Sequence, residues 1–461
     1  MTKRIRTAIF GVLAILFLIA APLTVLYALG WRFDFDQKQI YQTGIFYFKA
    51  TPKNAEMYID GQFQDRTDIF FGSILVNNLI PKDYNIEIRK PGYHSFAKNL
   101  PIVAKEVTEA SNITLIPEQI SLNPVLDKIE TIYQSIENDL IITKETNEGR
   151  WGLKSFNLKN SVKSHLLDEN EFSDFDSELV RVVISPDGNK LLLEIRIRTS
   201  DYYLLDISGE PTLTDLEYLD IGSIDEIHFL RDDLLIIQTI VERNQQITTL
   251  NKVDVENAEI EPWAFKDAVT VSVFGNNVYY LNNTGALLKL NQNLENPEKL
   301  NISNINYSKN KDYQIIISEP HLFLKSGSSL YFLDPKTRLF KLVSDNVLGQ
   351  AISPDNKKIA HWDNHEIRVM YLEPQYDQPT REKNENIFIT RFSGEIKDVY
   401  WYNNFYLIFD VDNTIKVSET DNRDKLNIVD SMESKHQGFF WINQKLYLLN
   451  EDTLLSSDIL Q

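Results

Sequence analysis

The sequence predicts an almost wholly β-structured chain: a small β-sandwich, then a β-propeller of about eight four-stranded blades, preceded by one transmembrane helix. Three observations carry this. An uncharged apolar run lies near the N-terminus, short alternating strands cut by turns follow it, and from residue 118 onward one strand plan recurs roughly every 36–49 residues. The expected organisation is a cytoplasmic tail and anchor at 1–31, a sandwich at 32–117, and a propeller at 118–461 in which 118–126 is a closing strand.

Composition sets the first limits. A chain of 461 residues exceeds one ordinary core, so two folded units are expected. The aromatic share of 11%, with 21 Tyr and 25 Phe, favours strands, where flat rings pack on a pleated surface. A net charge of -19 repels phosphate backbones, which argues against nucleic acid as a partner. The absence of cysteine excludes disulfides, thiolate metal sites and cysteine nucleophiles together.

No residue from Thr7 to Trp31 is charged, and a run of that length spans a hydrocarbon core as a helix, which takes about 20 residues. Lys3, Arg4 and Arg6 precede it and belong on the cytoplasmic side, whereas Asp34 and Asp36 follow it. The expected location is therefore the cell membrane, single-pass, with the body extracytoplasmic. A cleaved signal peptide is the competing reading, with Ala28-Leu29-Gly30 as a small-x-small site. Its apolar region is normally only about 7–15 residues, so an uncleaved signal anchor is preferred.

From Gly44 to Pro117 the chain reads as short strands, with Tyr84, Ile86 and Ile88 taking one face of an alternating segment. One buried and one wet face imply a two-sheet sandwich. Asp60-Gly61 is a hairpin signal, and Pro52 and Asn54 make a turn. The succession Thr51-Pro52-Lys53-Asn54-Ala55, Met57-Tyr58-Ile59-Asp60-Gly61, Tyr84-Asn85-Ile86-Glu87-Ile88 and Lys90-Pro91-Gly92-Tyr93 resembles the PEGA domain of bacterial and archaeal surface proteins. It departs from that family by having Lys53-Asn54 where Glu-Gly is usual. The resemblance implies a β-module and no catalytic residues.

After Pro117, Ser185-Pro186-Asp187-Gly188 and Ser353-Pro354-Asp355-Asn356 each lie between two short apolar strands, as equivalent hairpin turns of one repeat. The first strand of each unit is expected near Tyr133, Val182, Ile227, Val271, Ile315, Ala351, Val399 and Phe439, which makes eight units. Sheets too small to bury both faces alone are stable when packed face to face in a ring. The Ser-Pro-Asp turn resembles that of the TolB and WD40-like propellers of bacteria. The last unit supplies three strands before Gln461, so the alternating segment Glu118–Leu126 is expected to become its outermost strand.

Candidate chemistry is sparse. His361 and His365 are four apart in a strand-turn context, where that spacing places no two ligands on one face. Asp410-Val411-Asp412-Asn413-Thr414 opens like a calcium loop but lacks its later glycine and glutamate, so it reads as an Asx turn. No G-x-S-x-G, P-loop or G-x-G-x-x-G occurs. Trp401, Tyr402, Trp441 and Tyr447 fall inside strand patterns and read as interblade packing rather than a sugar-stacking surface. No catalytic, cofactor or metal residue is therefore assigned, and no cofactor is expected. The expected function is a membrane-anchored binding or scaffold protein for a protein or cell-envelope polymer, and not an enzyme. The second reading is a carbohydrate-active or other hydrolytic enzyme with its site in the propeller channel, which carboxylates of perturbed pKa at the channel mouth would favour.

Overall fold

The computed structural model describes all residues except 1–2, 35–37, 136–138, 173–176, 217–223, 231–232, 243–244, 258, 267, 292, 294 and 461. The chain begins with a 26-residue helix, Lys3–Ala28, whose apolar part, Ile5–Ala28, is unburied and long enough to cross a membrane. Arg32 closes its C-terminal end by donating to the carbonyl of Tyr27 at 2.7 Å and lying over the Tyr27 ring. A hairpin, Trp31–Asp34 with Gln39–Gln42, leads into the first body.

Two sheets of that body share one core. The three-stranded sheet has the order Ser73–Leu79, Gly44–Thr51, Val107–Thr114, and the four-stranded sheet the order Gln62–Arg66, Glu56–Ile59, Asp83–Arg89, Phe96–Pro101. Alternation explains the burial: Phe46, Phe48, Met57, Ile86, Ile88 and Leu100 point inward and are fully buried. Asp60 and Gly61 both take positive φ, 48° and 75°, in a two-residue hairpin turn whose twist suits the flanking strands.

Among the described residues eight four-stranded antiparallel sheets follow, which we call blades 1 to 8, at 129–168, 178–215, 224–266, 268–299, 313–344, 349–391, 396–433 and 438–457. The last contributes three strands of its own, and Leu122–Leu126 pairs with Thr453–Ser457 as its outermost fourth. Pro124, which has no amide to donate, sits on this edge strand next to a register shift.

The sheets form a closed ring because every core is shared by two neighbours. Leu153 of blade 1 packs with Leu193 of blade 2, and Leu192 of blade 2 with Ile236 of blade 3. Equivalent clusters join blades 3 and 4, 4 and 5, 5 and 6, 6 and 7, and 7 and 8. The eighth cluster returns to the start, with Leu454 and Phe440 of blade 8 against Ile141 and Phe156 of blade 1. The two Ser-Pro-Asp turns are built alike: each serine hydroxyl donates to its aspartate, at 2.6 Å for Ser185 and 2.5 Å for Ser353, and accepts the amide five residues on. Gly188 and Asn356 occupy the same left-handed position, at φ 74° and 56°.

Candidate functional site

The most elaborate polar construction lies where the sandwich meets blades 6 and 7. Strands Phe96–Pro101 and Val107–Thr114 are the outermost strands of their two sheets, and their outer edges would otherwise expose unpaired amides. Propeller side chains take these amides one by one. Ala97 N donates to Asn427 Oδ1 at 3.0 Å, Asn99 N to Asp424 Oδ2 at 2.8 Å, Glu109 N to Gln378 Oε1 at 3.0 Å and Thr114 N to Tyr406 Oη at 3.0 Å.

A buried ion pair sits in this joint. Lys98 occupies the apolar register between Phe96 and Leu100, yet its side chain is 0% exposed and reaches Glu419 Oε1 at 2.9 Å. Its ammonium also donates to the carbonyl of Asp421 at 2.6 Å. Glu419 accepts further bonds from the amide and the side chain of Asn427, at 2.8 and 2.7 Å. Burial nevertheless pushes the Glu419 carboxyl above its usual range. Tyr406, wholly inside the joint, is pushed up for the same reason.

A second place is a cleft of about 410 Å³ between blades 4 and 5, lined by Tyr279, Lys289, Glu319, Pro320 and Arg338 among others. Its charges are largely engaged: Tyr279 Oη donates to Glu319 at 3.0 Å, Lys289 lies 3.8 Å from the same carboxylate, and Arg338 Nε donates to Leu300 O at 2.8 Å. Asp334 at its edge is held down at about 2 by Lys341 and two backbone amides.

The third is a buried pair at the junction of blades 7 and 8. His436 Nε2 lies 3.8 Å from Asp410 Oδ2, with side chains 2% and 1% exposed, and their side-chain oxygens and nitrogens make no close hydrogen bond among the described residues. Burial pushes the Asp410 carboxyl up and the His436 imidazole down, so both favour their neutral forms.

The residues singled out from sequence fall elsewhere. His361 is buried on the second strand of blade 6 with Nε2 3.1 Å from Asn386 Oδ1, while His365 sits in the following turn, 3.1 Å from Gly394 O. Asp412 and Asn413 form the tight turn after Asp410, at φ 52° and 68°. Trp401, Tyr402, Trp441 and Tyr447 are all buried. Tyr402 stacks on Trp441 at 4.5 Å, Tyr447 on Phe440 at 4.9 Å, and Trp401 Nε1 donates to Ala351 O across blades 6 and 7. Among the described residues no group of three or more His, Asp or Glu side chains is disposed to hold a metal ion. Sequence reading passed over Lys98, whose signal was a lysine in the inward register of FAKNLP.

No protein-family model matches this sequence, and no curated protein does. Among solved structures the chain is similar to BamB from Moraxella catarrhalis, with 12% identity, TM-score 0.41, and 74% of this chain and 96% of that chain covered. It is also similar to the C-terminal WD40 domain of Sif2, at 11% identity and TM-score 0.46, covering 74% and 98% of the two chains. For the WD40 domain of SCAP from fission yeast the values are 11%, 0.45, 76% and 97%.

Proposed function

We propose that this chain is a membrane-anchored scaffold or recognition protein of the bacterial cell envelope, presenting one rigid sandwich-propeller body to a protein or envelope-polymer partner. The observation that carries the reading is the joint: four backbone amides and a buried lysine of the sandwich are satisfied by the propeller. Such a joint fixes the orientation of the ring relative to the anchor, which a positioning device needs. A PEGA-like module as the membrane-proximal spacer accords with it.

The enzymatic alternative has in its favour the upward-shifted carboxyls of Asp410 and Asp398 near His436, and the burial of the Asp410–His436 pair, with side chains 1% and 2% exposed, speaks against it. Topology is tested with the natural absence of cysteine. The full chain carrying Asn283→Cys, an exposed turn residue of blade 4, is expected to react with a membrane-impermeant maleimide in intact cells. Labelling only after lysis sinks the extracytoplasmic reading. Turnover of a glycan or peptide by the purified protein, lost on one Asp or Glu substitution, sinks the scaffold reading.

A further inference from the structure

The sandwich has two lateral sides, and they are treated oppositely. One carries the edge strands Phe96–Pro101 and Val107–Thr114 and is covered by the propeller. The other carries the edge strands Gln62–Arg66 and Ser73–Leu79, and among the described residues no strand covers it. The loop joining these two edges displays Ile69, Phe70 and Phe71 at 65, 73 and 73% exposure, and Leu75 follows on the edge strand at 53%.

This display is built. The Asp68 carboxylate accepts the amides of Phe70 and Phe71 at 2.8 and 2.6 Å, and both the amide and hydroxyl of Ser73 at 2.7 Å. Those bonds hold its carboxyl well below the usual range. Lys53 Nζ grips the carbonyl of Phe70 at 2.6 Å, and Gly72, at φ 71°, packs so closely that a Cβ there would lie 2.5 Å from Ala50 O. A fixed backbone thus holds three large apolar side chains in water, an arrangement that marks an interaction site.

Two further observations indicate the occupant. The free side runs back to the apolar helix, because Arg32, four residues past the helix end, donates to Asn78 Oδ1 at 2.6 Å at the far end of the same edge strand. The hairpin there adds the exposed cross-strand pair Phe33 and Ile40. Charge is also partitioned: residues 44–117 carry eight Lys or Arg and eight Asp or Glu, whereas residues 118–461 carry 34 basic against 56 acidic side chains. The propeller is therefore repelled by an anionic surface and the sandwich is not.

We propose that the free side of the sandwich rests on the bilayer, with Ile69, Phe70 and Phe71 inserted at the headgroup-acyl boundary and the propeller held on the side away from the membrane. Apolar and aromatic side chains flanked by a lysine suit that interface. The proposal rests on the reading of the helix as a membrane anchor.

The test uses the full cysteine-free chain in vesicles of phosphatidylcholine and phosphatidylglycerol, with a fluorophore on Phe70→Cys, Leu75→Cys, Asn283→Cys or Leu18→Cys, and nitroxide-bearing lipids as quencher. Strong quenching is expected at positions 18, 70 and 75, and little at 283. A signal at 70 or 75 no more quenched than at 283, in vesicles where 18 is quenched, overturns the proposal and leaves the anchor standing. An unquenched fluorophore at 18 removes the anchor reading, and the proposal with it. A blue-shifted but unquenched fluorophore at 70 assigns the loop to contact with a second copy of this chain and also overturns it.

Discussion

Replacing Lys98 by Met is the sharpest test of the rigid joint. Methionine fills a similar volume, so the change chiefly removes the ammonium that lies 2.9 Å from Glu419 Oε1. Glu419, 4% exposed, would keep its two bonds from Asn427 but lose its counter-charge. Breaking a buried pair from one side costs about 3–5 kcal/mol, because the remaining charge stays out of water. Burial already raises the Glu419 carboxyl, and losing Lys98 raises it further. The sign follows: a carboxyl with a raised folded-state pKa binds its proton more tightly when folded, so the variant's deficit grows as pH rises and shrinks as pH falls towards that pKa. Adding Glu419→Gln removes the stranded charge and should recover about 2 kcal/mol or more, which a double-mutant cycle reads directly. The assay is denaturant unfolding of the detergent-solubilised chain at pH 5.5 and 8, with limited proteolysis near Pro117 as a second probe of the joint. A loss below about 1 kcal/mol for Lys98→Met, or a double variant no more stable than the single one, refutes the reasoning.

Ring closure predicts that Leu454→Ala, which empties a fully buried position of the cluster joining blades 8 and 1, costs about 2–5 kcal/mol in thermal or chemical unfolding. Adding Leu126→Ala on the closing strand should cost less than its own single value, and strict additivity would contradict a shared core. His321 and His361 are buried, and burial lowers the pKa of both from 6.5. The unfolded chain therefore takes up protons that the folded chain refuses, so stability falls as pH drops below about 6.5, by at most about 1.4 kcal/mol per pH unit for each histidine. His361→Gln should flatten that slope, and an unchanged slope in melting temperature between pH 7 and 5 counts against it. Gly349→Ala would place a Cβ 2.3 Å from Trp362 Cζ2, so a loss of about 1–3 kcal/mol and a shifted tryptophan emission are expected. Gly438→Ala, at the equivalent start of blade 8 with open space around it, is the neutral control.

Local chemistry written into the sequence was enough for the class of fold, for the strand plan and for the apolar helix. Tyr84, Ile86 and Ile88 share a face because side chains alternate along any strand, and Ser185-Pro186-Asp187 folds its turn with its own hydroxyl and carboxylate. The same logic explains why Trp401, Tyr402, Trp441 and Tyr447 are packing residues: each stands in a strand that needs its face filled. What local pattern cannot carry is pairing between distant segments. Lys98 and Glu419 are 321 positions apart, and only the docking of two folded bodies decides that they neutralise each other. Asp410 stands on blade 7 and His436 in the segment leading into blade 8, and they become a buried pair only when the ring packs. Ile69, Phe70 and Phe71 form an apolar run between two short strands. Their exposure follows from tertiary structure, since Asp68 binds the loop backbone outward and the propeller covers the opposite side of the sandwich.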